Sequence, residues 1–267
     1  MPTYSLTLEY DGTDFAGWQI QPSVRTAMGV FDSALHAVTS ESPALTAAGR
    51  TDSGAHAHGQ VVGCTLERAW APDALRNALN ATLPADLAVR SVAIRHDGFH
   101  ARRDAVERTY RYLVVCRDGR SPVMRRNAWT VRGPLDLDAM REAAANLVGT
   151  HDFAAFGSAP RVGGTTVRHV ASVSVERNVL ESGAAGETVL ETVAITVCAN
   201  AFLRGMMRSF TGALVKIGQG SAAPEWLGSL VDTATARDPS LSIAPARGLH
   251  QWSVSYEPAA TDQELAA

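Results

Sequence analysis

Lysine is nearly missing from this chain of 267 residues: Lys216 is the only one, and arginine carries almost all the positive charge. Compositional bias explains much of that shortage, but it leaves the residue type best suited to bidentate phosphate contacts. Cysteine is also scarce. Cys64, Cys116 and Cys198 stand far apart in strand-like runs. That pattern argues against a disulfide framework or a cysteine metal site and for buried free thiols. No apolar run reaches the length of a membrane span. The opening MPTYSLTLEYDG lacks the basic start and apolar stretch of a signal peptide. A soluble, cytoplasmic protein with no membrane partner is therefore expected. There is no P-loop, no dinucleotide fingerprint and no serine elbow, so nucleotide-driven chemistry and serine hydrolysis have no sequence support.

Charge of one sign does not dominate either. The formal net charge is -3, which by itself does not advertise a nucleic-acid partner. The distribution says more. Eight arginines and three acids lie between Arg102 and Arg126, while six acids and two arginines lie from Glu225 to the end. A local basic face can hold a polyanion on a protein that is acidic in total.

Periodicity supplies the elements. YSLTLEY (4–10) alternates as a half-buried strand, and DGTDFAGWQIQP follows as a loop. Helical spacing starts at Ala27, with Thr26 as its cap. QVVGCTL reads as a strand, Pro72 opens a helix, and LAVRSVAI is a further strand. A second unit opens with TYRYLVVC near Thr109. A helix capped by Asp136 follows and is ended by Gly149. Two strands then meet through ESGAAGE. AFLRGMMRSFTGALVKIG reads as one long helix on which Arg204 and Arg208 share a face. APEWLGSLVDT is a short helix, and HQWSVSY closes the chain as a strand. The expected class is α+β: two pseudo-symmetric halves, each an antiparallel sheet with helices on one face, their uncovered faces lining a central cleft. The halves are placed at 1–105 and 106–258, with a frayed acidic tail at 259–267.

One stretch is too polar for a core strand and too particular for filler: AAGRTDSGAHAHGQV, residues 47–61. It sets Arg50, Thr51, Asp52 and Ser53 between Gly49 and Gly54. Asp52 is either a working carboxylate or a turn aspartate bonded to its own backbone. His56 and His58, two apart in an extended segment, invite a metal reading with Asp52, but no persuasive third ligand with a supporting partner exists. A turn role or an RNA contact suits these histidines better. Tyr110 and Tyr112 alternate with Arg111, which puts the tyrosines on one face and the arginine on the other. Tyr110 is then a core ring or a platform for a nucleobase. Arg208, in a helix otherwise written for burial, either snorkels at its edge or pairs with a carboxylate such as Asp52.

Several motifs in order carry a resemblance. EYDGTDFAGWQIQ, AGRTDSGAHAHGQV, LNATLPADLAVR, FHARRDAVERTYRY, HDFAAF, NAFLRGMMRSFTGALVKIG and APARGLHQWSVSY together resemble the tRNA pseudouridine synthases that act on the anticodon arm at tRNA positions 38, 39 and 40. The similarity runs from about Tyr4 to Tyr256. It implies a catalytic aspartate at Asp52, supported by Arg50, Tyr110 and Arg208. It also implies a homodimer that binds the tRNA anticodon arm across both subunits, with no metal and no organic cofactor. Arg102, Arg103, Arg108, Arg111, Arg204 and His58 are the expected RNA contacts. Three positions depart from the family pattern: Met28, where a glutamine is usual; Gly164, where an arginine is frequent; and Arg204-Gly205, where tyrosine and histidine are common. They bear on substrate positioning and leave the catalytic set intact. Two other readings of the same residues are a non-catalytic RNA binder and a metal-assisted RNA hydrolase using Asp52, His56 and His58.

Overall fold

The computed structural model describes residues 1–161, 163–182, 188–233 and 237–257. Within them the chain is α+β, and contacts divide it into two units: residues 1–108 with the segment from Gln251 onward, and residues 109–250. Periodicity places a single boundary near residue 105. The structural division instead returns the closing segment to the first unit.

The first unit begins with β1 (Thr3–Tyr10), followed by a single 3-10 turn at Gly12–Asp14 and by α1 (Ala27–Thr39). Thr26 caps α1, its hydroxyl accepting from the Gly29 amide as expected. A two-residue strand that alternation does not reveal, β2 (Thr46–Ala47), precedes β3 (His56–Thr65). Then come α2 (Pro72–Thr82), opened by its proline, β4 (Leu87–Arg95) and the start of β5 (Ala105–Cys116). β1 pairs antiparallel with β3 on one side (Tyr4 opposite Cys64, Leu6 opposite Val62) and with β4 on the other (Tyr4 opposite Ile94). This central position explains why Thr3 and Ser5 are buried along with Tyr4, Leu6 and Leu8: the half-buried alternation expected of β1 belongs to strands with one open face. Phe31 and Leu35 of α1 and Leu75 and Leu79 of α2 join the β1 side chains in one apolar cluster. Full burial of each such side chain contributes about 1.5–3 kcal/mol.

In the second unit β5 continues and takes on the short β6 (Trp129–Val131) in parallel, Cys116 opposite Val131. That pair is the exception to an otherwise antiparallel expectation, and it exists because residues 117–128 are long enough for a crossover. α3 (Leu137–Ala145) starts at Asp136, whose carboxylate accepts from the amides of Asp138 and Ala139. The helix stops at Ala145, before Gly149, and that glycine, at φ 120°, instead opens β7 (Gly149–Asp152). β7, β8 (Val167–Ser182) and β9 (Thr188–Ala199) pair antiparallel in series. The Gly-rich connector between β8 and β9 lies mostly outside the described residues, as does the tail expected at 259–267. α4 (Met206–Gly218) and α5 (Pro224–Ser229) follow. Phe153, Phe156 and Phe210 meet edge-on, with centroids 4.9–6.0 Å apart, and fix α4 in the core.

The last strand, β10 (Leu249–Tyr256), completes the picture. In the first unit the strand order is β4-β1-β3-β10, with β2 on β3; in the second it is β5-β9-β8-β7. One expectation fails here. The long helix does not begin at Ala201. Gly205 takes φ 79°, a left-handed conformation that ends the preceding segment, and α4 starts one residue later. Arg204 therefore lies outside the helix and shares no helical face with Arg208.

Candidate active site

The motif loop sits in the first unit between β2 and β3, and its main chain is held from several sides. The Thr51 carbonyl accepts from the Trp18 amide at 3.1 Å, and its hydroxyl meets the Tyr10 hydroxyl at 2.8 Å in a buried setting. The Ser53 hydroxyl and the Gly54 amide both donate to the Phe15 carbonyl at 3.3 Å. The Ala55 amide closes the turn on the Asp52 carbonyl at 3.1 Å, with Gly54 at φ 78°. Fully buried Gln60 donates to the Gly49 carbonyl at 2.9 Å and accepts from Gln251 at 3.1 Å. These contacts hold the turn through backbone groups, Ser53 and Thr51. The Asp52 side chain is half-buried at its apex, and Arg50 is exposed.

Two glycines of the DGTDFAGW loop permit this arrangement. A Cβ on Gly12 would lie 1.8 Å from the Ala55 carbonyl oxygen, and one on Gly17 would lie 2.9 Å from that of Thr51. Phe15 and Trp18, between and beside them, are buried, and the Tyr10 ring stacks on Trp18 at 6.1 Å. Pattern alone marks this second segment as a loop and as one of the resembling motifs, without its contact to the Asp52 loop. The signal was present in its two glycines and two large aromatics within seven residues.

The histidines separate in role. His56 is buried, its Nδ1 accepting from the Gly12 amide at 3.1 Å with the Asp11 carboxylate also 3.1 Å away. It thus joins the two loops. His58 is half-buried, with its ring on Trp252 at 4.6 Å and its Nδ1 3.4 Å from Glu9. Burial, more than any neighbouring charge, pulls its pKa below the usual histidine value. Among the described residues no three His, Cys, Asp or Glu side chains come together as a metal site.

The expected RNA contacts in this unit also divide. Arg102 and Arg103 are exposed at a tight turn where His100 Nδ1 accepts from both of their amides. Arg108 is 7% exposed. Its guanidinium donates to the carbonyls of Arg102, Ala105 and Ala48, the last just before the motif loop. A side chain so enclosed supports the loop from beneath, with main-chain oxygens among the partners of its charge.

In the second unit Tyr110 and Tyr112 face inward and Arg111 outward, as their alternation requires. Tyr110 is buried and meets Phe202 edge-on at 4.6 Å. Arg111 Nε donates to the Thr196 hydroxyl at 3.2 Å. Exposed Arg204 makes a two-way backbone bridge with Ser158. Arg208, in the first turn of α4, is half-buried, and its Nε donates to the Ala244 carbonyl at 2.7 Å. Of the thiols only Cys64 is buried, and desolvation pushes its pKa up to about 12; Cys116 and Cys198 are half-buried. The expectation of three buried thiols thus holds for one.

Within the first unit a half-buried carboxylate thus stands at the apex of a clamped loop, with Arg50, Arg102 and Arg103 exposed in the same unit. Comparison with known proteins identifies the class. A family model described as tRNA pseudouridine synthase matches residues 7–103 and 143–257. Asp52 and Arg50 lie in the first matched segment and Arg204 and Arg208 in the second, whereas Tyr110 falls between them. The chain is 40% identical over 258 residues to tRNA pseudouridine synthase A of Syntrophotalea carbinolica, covering 97% of this chain and 98% of that one. It is 37% identical to the enzyme of the same name from a Geobacter species, with 96% and 99% covered. For the Rhizobium meliloti enzyme of that name the identity is 38%, with 96% and 100% covered. These matches define an RNA-modifying isomerase. The chain belongs to the tRNA pseudouridine synthase family.

Proposed function

We propose that this enzyme converts uridine to pseudouridine at positions 38, 39 and 40 of the tRNA anticodon stem-loop, with Asp52 as its catalytic carboxylate. The reaction breaks the C1′–N1 bond, turns the base and joins C1′ to C5. The C5 proton is lost and N1 gains one, so the product is an isomer and no oxidant, reductant or energy source enters the balance. Asp52 attacks the sugar or base, or stabilises charge as the glycosidic bond opens. Either role requires it ionised and accessible. The target base leaves its stack to reach the carboxylate, at a cost of a few kcal/mol.

The observation that carries this reading is the way the motif loop is built. Its turn is closed by the Ala55 amide, Ser53, Gly54 and the Thr51 hydroxyl. A turn fixed in this way holds the half-buried Asp52 carboxylate at a set position at its apex. Arg208 is proposed as the cation that keeps Asp52 ionised, Tyr110 as the ring beside the flipped base, and Arg50 as further support. Exposed Arg102, Arg103 and Arg204 would hold phosphates, and Arg111 and His58 are further proposed RNA contacts. Arg108 would act from below, through Ala48. The resemblance adds a central cleft between the halves, a homodimer with tRNA across both subunits, and a cytoplasmic setting.

Asp52→Asn tests this directly. The change keeps the volume and removes the ionisable oxygen. Single-turnover pseudouridine formation on saturating unmodified tRNA, in EDTA, should fall by at least about a thousandfold, or ~4 kcal/mol, with tRNA affinity close to wild type. A variant within tenfold of wild type would return Asp52 to a structural turn. Strand breaks in place of pseudouridine would point to hydrolysis.

A further inference from the structure

The segment before β10, Leu241–Gly248, crosses the first half of α4 and makes contacts that converge on Arg208. The Ala244 amide donates to the Arg208 carbonyl at 3.1 Å, and the Arg208 Nε donates back to the Ala244 carbonyl at 2.7 Å. One residue on, the Pro245 carbonyl accepts the Tyr112 hydroxyl at 2.6 Å. Further along the helix, a Cβ on Gly212 would fall 2.0 Å from the Ser242 carbonyl oxygen, so the strap lies directly on the helix backbone there. At its other end a Cβ on Gly248 would fall 2.5 Å from the Tyr112 ring. Tyr112 is fully buried and Ala244 nearly so.

These contacts have one geometric consequence. Proline holds its own φ and restricts the residue before it to extended backbone, so Ala244 and Pro245 form a stiff dipeptide. Its two carbonyls take their donors from different elements, one from α4 and one from β5. The Arg208 acceptor and the Tyr112 acceptor are thus adjacent carbonyls, joined through the restricted Pro245. Burial raises the Tyr112 pKa, so its hydroxyl keeps its proton and remains a donor across the working pH range.

We infer that Tyr112 is a positioning residue for the reaction: through the Ala244–Pro245 carbonyls it sets the direction of the Arg208 guanidinium. This rests on the proposed role of Arg208 toward Asp52. Removing one hydroxyl would leave Arg208 present but less well aimed, and a misaimed cation lowers turnover more than binding.

The test is Tyr112→Phe in the whole enzyme, read by steady-state pseudouridine formation against tRNA concentration, with Asp52→Asn in parallel. We expect kcat to fall roughly tenfold with KM for tRNA unchanged. Arg208→Lys, which cannot reproduce the Nε bond, should lose more, and adding Tyr112→Phe to it should cost nothing further. Wild-type kcat in a folded Tyr112→Phe variant, a loss confined to KM, or losses that simply multiply in the double variant would overturn the inference. Should the variant not fold, hydrogen exchange at the Arg208 Nε in the wild-type enzyme decides: slow exchange supports the clamp and free exchange rejects it. An active Asp52→Asn would instead sink the underlying reading, so the two failures are distinguishable.

Discussion

Gly12 is the position at which the second loop touches the motif loop, and replacing it with alanine gives a calculable displacement. The added Cβ would lie 1.8 Å from the Ala55 carbonyl oxygen and 2.4 Å from its carbon. Non-bonded contacts of this kind tolerate little below 3.0 Å, so one backbone must retreat by roughly 1.2 Å to be free of overlap. No flexible side chain can absorb the shift, because both contacting atoms are main chain. Gly12 also donates its amide to buried His56 at 3.1 Å, and a retreat would stretch that bond. Ala55 is three residues from Asp52 and closes its turn, so the displacement passes to the carboxylate. A misplacement of about 1 Å at a reacting group costs on the order of a hundredfold in rate. Overpacking alone is expected to cost about 1–3 kcal/mol of stability, or roughly 2–4 °C of melting temperature per kcal/mol in a chain of this size. The assay is single-turnover isomerisation below the melting transition, with tRNA affinity measured alongside. Gly220→Ala serves as a control: its φ of 70° strains an alanine, but nothing lies within 4 Å of the new Cβ. It should lower stability by about 1–2 kcal/mol and leave turnover unchanged. Gly12→Ala turnover within threefold of wild type, in a folded protein, would refute the claim that the two loops form one rigid support.

Other tests bear on binding and pH. Replacing exposed Arg102 and Arg103 by alanine should weaken tRNA binding and flatten the plot of log binding constant against log salt by about 1.5, from fewer released counterions; an unchanged slope would place the RNA track elsewhere. The His151 ring lies between two acceptors, the Asp232 carboxylate at 2.6 Å and the Val148 carbonyl at 3.0 Å. The Asp232 bond raises the His151 pKa, while the Asp152 amide, with His151 second, lowers that of Asp232. The raised histidine contributes stability that is full below its unfolded pKa of about 6.5 and is lost as pH rises through the folded value. The lowered aspartate contributes above about 3.9 and loses that contribution as pH falls through its folded value. Melting temperature should therefore step down as pH rises past about 6.5, and Asp232→Asn should remove the step; an identical pH profile in the variant would refute the linkage.

The sequence by itself determined the α+β class, most element positions and the identity of the motif carrying Asp52. Those properties are written in short-range patterns: alternation in β5, 3.6-residue spacing in α1, caps at Thr26 and Asp136, and a run of polar residues between glycines. Tertiary structure decided the rest, because the deciding contacts join residues far apart in the chain. Arg108 reads as one of eight surface arginines until the Ala48 and Arg102 carbonyls enclose it. Gly205 looks like an interior helix residue until its φ of 79° separates Arg204 from α4. Gly12 and Gly212 read as ordinary glycines, and only the close passage of Ala55 and Ser242 shows why a side chain is excluded there. Tyr112 is one apolar-face residue of a strand by pattern, and its hydrogen bond to a carbonyl 133 residues away gives it a second use. Local preference selects the elements; packing and the need to satisfy buried polar groups select which residues meet.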